Sequence, residues 1–285
     1  MVKWVISAAA LVLVACAPPA AQAPAAQPRL ELAWRASGLA NPESVALSDD
    51  ETFLYVTNVN GEGAAKDGNG FISRVSVDGA VLELEWARGL DGPKGIMRGG
   101  PALYVADIDR MVVIDAATGA INRTVAIAGA QFLNDLTFAP DGRVLIADSG
   151  GGRIYAIASD TAEVWLEHEL LGSVNGLAPE PERLVVTTMA GRLLAIDYVT
   201  KAVSVLAEGL GDADGVASLG GGRYLVSEWP GLMHVVTSDG AHTTIMDTRV
   251  ENRLLNDFLL VGATLYQPHW DPGEISAYRV VEVSP

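Results

Sequence analysis

The chain has 285 residues, of which 49% are hydrophobic and 19% charged, so a large core is within reach and length alone permits one or two domains. A formal charge of −16 argues against nucleic acid, because phosphate contacts need clustered Lys and Arg. Direct adhesion to anionic lipid is disfavoured for the same reason.

The N-terminus reads MVKWVISAAALVLVAC. Lys3 supplies a positive start, and Val5 to Ala15 form an apolar stretch too short to span a bilayer. Leu13-Val14-Ala15-Cys16 resembles the bacterial lipobox, which implies a signal peptide over residues 1–15, cut before Cys16, and lipidation of that cysteine. An ordinary signal peptide or a buried thiol is the alternative. Cys16 is the one cysteine of the chain, so neither a disulfide nor thiol chemistry is expected in the folded part. Residues 16–29 carry this cysteine and an Ala/Pro/Gln-rich stretch expected to be a disordered tether. Ala17 follows the cysteine. In lipoproteins that this chain resembles, the lack of Asp there implies the outer membrane, facing the periplasm, with inner-membrane retention as the alternative.

Residues 30–285 read as repeats. Six short segments each place a polar residue just before an apolar strand: Glu43, Lys94, Asn134, Asn175, Asp214 and Asn256. Successive steps are 51, 40, 41, 39 and 42 residues, a period that with four strands per unit predicts an all-β, six-bladed β-propeller. Strands A follow these residues. Turns then lead to strands B (FLYVTN, ALYVAD, RVLIAD, RLVVTT, RYLVSE, TLYQPH), which run apolar and β-branched as buried strands do. Arg143, Arg183 and Arg223 recur every 40 residues in those turns. Asp78-Gly79, Thr118-Gly119 and Asp239-Gly240 carry hairpin chemistry between strands C and D. The sixth unit lacks a strand D after EISAYRV. LELAWRASGL at 30–39 nearly duplicates LELEWARGL at 82–90, so the N-terminal strand is expected to complete the last blade and close the ring.

In a propeller, equivalent positions form one ring at the mouth of the central channel. Glu43, Asn134, Asn175 and Asp214 offer oxygen ligands only, which suits a hard cation such as Ca²⁺ better than zinc. Asn-Gly, Asn-Asp and Asp-Gly pairs are also favoured in turns for local backbone reasons, with no metal involved. Glu43 has no such turn advantage.

Glu in the first blade, Asn in the third and fourth and Asp-Gly in the fifth resemble the senescence marker protein/gluconolactonase-like family, with its regucalcin-type lactonases and more distant paraoxonases. The resemblance covers residues 30–285. It implies a divalent metal, usually Ca²⁺, on Glu43, Asn175 and Asp214, and a place for Asn134 near metal-bound water or substrate. It also implies hydrolysis of small lactones or related esters, with Asn134 and Asp214 at the chemistry and Asp214 as a general base. Phe132 stands where similar sugar lactonases have Arg, so an apolar ring replaces a guanidinium that would grip sugar hydroxyls. Lys94 could pair with Asp107, orient an anionic substrate group, or be a lone surface lysine.

The ends of strands B return Asn58, Asp107, Asp148, Thr188, Glu228 and His269 to the same face. His269 is either a proton shuttle or a hydrogen-bonded wall residue. Trp229 and Trp270 could line a pocket or pack between blades. The Gly-rich loop 58–70 is either a lid or a disordered excursion. His168, His234 and His242 receive no role. Lys94, Phe132, Asn134, Asn256 and His269 form the expected substrate-binding set of a monomer that meets the membrane through its lipid alone. A non-enzymatic envelope propeller, binding a ligand or serving as a scaffold, is the alternative function. A lyase or isomerase on the same metal is not separable by sequence.

Overall fold

The computed structural model describes Met1 and residues 27–283, so the signal peptide, Cys16 and most of the tether lie outside the described residues. Six four-stranded antiparallel sheets follow one another around a centre. The chain opens with β1 (Gln27–Ser37), which begins three residues before the boundary expected from sequence. Blade 1 holds β2 (Pro42–Leu47), β3 (Phe53–Asn58), β4 (Gly70–Ser76) and β5 (Val81–Leu90). Blade 2 holds β6 (Pro93–Gly99), β7 (Ala102–Asp107), β8 (Arg110–Asp115) and β9 (Ile121–Ala126). Blade 3 holds β10 (Leu133–Phe138), β11 (Val144–Asp148), β12 (Arg153–Ala158) and β13 (Thr161–Glu167). Blade 4 holds β14 (Val174–Pro179), β15 (Arg183–Thr188), β16 (Arg192–Asp197) and β17 (Val203–Glu208). Blade 5 holds β18 (Asp212–Gly220), β19 (Arg223–Trp229), β20 (Leu232–Val236) and β21 (His242–Asp247). Blade 6 holds β22 (Leu259–Val261), β23 (Thr264–His269) and β24 (Glu274–Val283), and β1 is its fourth strand.

Successive side chains of a strand point to opposite faces, and both faces of each blade are covered by neighbours. Leu145 and Ala147 of β11 therefore pack towards blade 4, while Val144 and Ile146 pack towards blade 2. This two-sided burial is why strands B read as continuous apolar runs. The core is divided accordingly: each of six apolar clusters spans one pair of adjacent blades. The outer strands are wet; the first five residues of β5 are exposed.

Closure is as the duplicated segment predicts. β1 pairs antiparallel with β24 from Gln27 opposite Val283 to Ser37 opposite Glu274. The Trp34 indole N–H then reaches across to blade 1 and donates to the Val77 carbonyl at 2.7 Å. The hairpin glycines Gly79, Gly119 and Gly240 all hold positive φ, which only glycine adopts without strain.

Candidate functional site

Each inner strand of blades 1 to 5 carries the same defect near its start. The antiparallel register shifts between Pro42 and Val45, Pro93 and Ile96, Leu133 and Leu136, Val174 and Leu177, and Ala213 and Val216. Glu43, Lys94, Asn134, Asn175 and Asp214 lie inside these five irregularities. A local break of this kind re-aims side chains that a regular pleat would send between blades. Asn256 reaches the same place from the segment before β22, so the sixth inner strand starts later than the sequence suggested. All six residues line one cavity of about 290 Å³, together with Gly63, Phe132, Met189, Trp229 and Trp270.

The residue after each of the six forms a second ring. It reads Ser44, Gly95, Asp135, Gly176, Gly215 and Asp257. Here adjacent blades are joined. Asp135 accepts from the Leu177 amide at 2.6 Å, and the Ser44 hydroxyl donates to Asp257 at 2.6 Å. Ser227 accepts from the Gly215 amide and donates to the Asn256 carbonyl, each at 2.8 Å. The Asn256 side chain donates to the Pro42 carbonyl at 3.0 Å. Sequence reasoning named none of the second-ring acids, because Asn-Asp there reads as turn chemistry. Applying the repeat one residue further along would have found them.

Four carboxylates therefore share the axis. Burial first, then the charges of Asp214 and Asp257, push Glu43 well above the usual carboxylate range. Burial and then the Asp257 charge do the same to Asp135 and to Asp214. Burial raises Asp257 to about 6, against the opposing hydrogen bonds from Ser44 and Phe258. Such a cluster is costly without a cation.

Three buried oxygens at this site accept no hydrogen bond: Glu43 Oε2, Asn175 Oδ1 and Asp214 Oδ1. They belong to the three residues to which the family resemblance gives a metal. Oxygen donors of this kind, two carboxylates and an amide, fit a hard divalent cation. Among the described residues, no three or more Asp, Glu, His or Cys side chains converge as a metal cluster, so this set depends on the amide. Larger clefts of about 490 and 570 Å³ lie by the turns between strands A and B, but their acids are exposed or half-exposed.

Lys94 is 3% exposed and is no surface lysine. Its ammonium donates to the carbonyls of Gly63 at 2.7 Å and Gly92 at 3.0 Å. It also lies 4.1 Å from the centre of the Phe132 ring. It does not pair with Asp107, which binds Arg110 at 2.7 Å instead. Burial lowers the Lys94 pKa, and the charges of Glu43 and Asp107 partly offset this. Loop 58–70 is pinned at both ends. Gly61 N donates to Asn41, and Gly68 N donates to Asp91. Gly63 sits where an added Cβ would lie 3.8 Å from both Phe132 and Trp270.

The ends of strands B act as fasteners rather than as a second row of the cavity. Asn58 accepts from the Ala40 amide at 2.9 Å, Asp107 from Gly92 at 2.8 Å, and Asp148 from Phe132 at 2.8 Å. Each holds the loop that leads into its own blade, and Asp148 thereby places Phe132. Glu228 is engaged by His234 at 2.7 Å. His269 is the correction among the substrate-binding residues: it is fully buried, outside the cavity lining, and bonded through Nε2 to Ser276 at 2.9 Å. It is a wall residue: at the end of β23 its backbone bridges to Leu255 and its ring turns to Ser276 of β24. Trp229 and Trp270 do line the cavity.

No protein-family model and no curated protein matches the sequence. Solved structures do. Streptogramin B lyase superposes with a TM-score of 0.64 at 13% identity, over 89% of this chain and 98% of that one. Virginiamycin B lyase from Staphylococcus aureus, as a catalytically inactive variant with quinupristin, gives 0.60 at 13% identity, over 84% and 95%. A chain of a nidogen/laminin complex gives 0.60 at 18% identity, over 76% and 83%. At these identities the likeness is one of fold, and it joins enzymes to a binding assembly.

Proposed function

We propose that this propeller is a divalent-metal-dependent hydrolase of small lactones or related esters. The observation that carries the reading is the coincidence of three unpartnered buried oxygens on Glu43, Asn175 and Asp214 in the buried lining of one cavity. These residues would hold the cation, most simply Ca²⁺. When bound it would supply Lewis acidity towards a carbonyl oxygen and electrostatic relief to the four acids. Asn134 would orient the acyl group. Asp214 would take a proton from the attacking water and return it to the departing alkoxide, so that the water oxygen ends on the acyl carbon and the acyl C–O bond breaks. A bound cation would oppose the upward push of burial on Asp214 and favour its carboxylate form, in which it could accept the proton.

The same reading places the protein in the bacterial envelope, held through Cys16 at the outer membrane and facing the periplasm, as a monomer. Replacing Cys16 with Ser would move it to the soluble fraction.

Purified protein is expected to hydrolyse members of a lactone and aryl-ester panel. Activity should disappear with chelator and return with Ca²⁺. Glu43→Ala and Asp214→Ala should each lower kcat/KM by about a hundredfold or more, while circular dichroism stays that of the parent. Full activity in either variant ends the reading. Labelled oxygen from water in the product separates hydrolysis from elimination, the alternative raised by the two lyases of similar fold. A scaffold or binding module would show neither turnover nor sensitivity to chelation.

A further inference from the structure

We propose that the cavity selects an uncharged substrate with a flat aromatic body, its ester group directed to the acid–amide ring; this rests on the hydrolase reading above. Polarity in the lining is sorted by depth. Glu43, Lys94, Asn134, Asn175, Asp214 and Asn256 are all buried, between 1% and 6% exposed. Phe132, Met189, Trp229 and Trp270 are half-buried and form the outer part. No hydroxyl or guanidinium lines this outer part, so a polyhydroxylated body would lose water without gaining partners. Half-exposed aromatic surface grouped at a cavity is the usual lining of a site for an apolar ligand.

The rings are arranged to receive another ring. Trp229 and Trp270 meet edge to face, with centroids 6.2 Å apart and planes at 84°. Such a pair leaves open ring faces and edges for a third aromatic group at the same spacing. The Gly63 backbone lies over Phe132 and Trp270, and Asp148 fixes the Phe132 backbone, so this wall is formed before any ligand arrives. A volume of about 290 Å³ limits the guest to a small molecule.

Charge points the same way. Lys94 is the one cation of the lining, and two of its three ammonium protons are donated to the Gly63 and Gly92 carbonyls. The ammonium also faces the Phe132 ring. It is thus poorly placed to receive a carboxylate or phosphate on the substrate.

The test compares dihydrocoumarin, D-glucono-δ-lactone and a carboxylated aryl ester on the Ca²⁺-loaded protein. It also measures binding of the lactam analogue of dihydrocoumarin to chelated protein by calorimetry. We expect kcat/KM for dihydrocoumarin to exceed the other two by about tenfold or more. Phe132→Arg should erase that preference and weaken the lactam about tenfold. Trp270→Leu, a milder change, should weaken the lactam in the same direction. Preference for the sugar lactone or the carboxylated ester overturns this inference and leaves the hydrolase reading intact. Lactam binding that both variants weaken, without hydrolysis of any ester, sustains the aromatic site and removes the hydrolase. Absence of both the preference and the lactam binding overturns the inference.

Discussion

His269 ends β23 with Nε2 on Ser276 and Nδ1 without a partner. Burial, and secondly the charges of Arg253 and Arg35, lower its pKa to about 3. The folded protein therefore keeps it neutral while the unfolded chain protonates it near pH 6.5. Its contribution is fully present above pH 6.5 and is lost as the pH falls towards 3. Urea titrations should show stability dropping by about 1.4 kcal/mol per pH unit from this residue inside that window. His269→Gln should flatten this part of the profile; an unchanged slope would refute the assignment. At this scale the sequence was legible where residue type and period agreed. Glu43, Lys94, Asn134, Asn175, Asp214 and Asn256 stood out together because a polar residue returned about every forty residues, and the cavity gathers all six. Asp135 and Asp257 were hidden by their neighbours, since Asn-Asp is ordinary turn chemistry until three-dimensional packing shows Asp135 buried and Asp257 half-buried beside it. Lys94 was undecidable from sequence because its partners are backbone carbonyls, which no side-chain pattern reveals.

Among the elements, the inner strands show why glycine follows the ring residue in blades 2, 4 and 5. The reason is not a turn, since none of these three glycines holds positive φ. A Cβ on Gly95 would lie 2.7 Å from the Asp135 backbone, and one on Gly215 would lie 2.6 Å from the Asp257 carboxylate. On Gly176 it would collide with the Asp214 carbonyl. Each blade presses its neighbour's ring residue at this point, so the second ring is a packing surface as well as a set of fasteners. Gly176→Ala and Gly215→Ala should each cost about 1–3 kcal/mol in urea unfolding, and both should also disturb Asp214, the ring residue they adjoin or flank. A neutral result would mean the blades can part at no cost. The strands themselves were readable in advance because two-sided burial writes long apolar runs. The late start of β22 was not, because Leu255 pairs with His269 only as an isolated bridge and residues 256–258 join no ladder before Leu259.

For the whole molecule, the ring is fastened by β1. The Trp34 ring stacks against the Gly79 turn of blade 1 while its N–H bonds Val77, so one side chain ties the last blade to the first. Trp34→Ala should lower stability by about 2–3 kcal/mol, below the range for a fully buried Trp because this one is half-exposed. Deleting residues 27–37 should be far worse. It strips β24 of its partner and leaves blade 6 with three strands and an open edge, so insoluble or oligomeric protein is expected on size-exclusion chromatography. Soluble monomer from that deletion would show the seal to be dispensable. The pairing of Gln27 with Val283 has a geometric outcome as well. β1 runs eleven residues, on the order of 35 Å, before the chain turns into Glu43, so both of these terminal positions leave from the side remote from the orifice. A rigid attachment made at Gln27 or at Val283 would leave the opening directed away from its support.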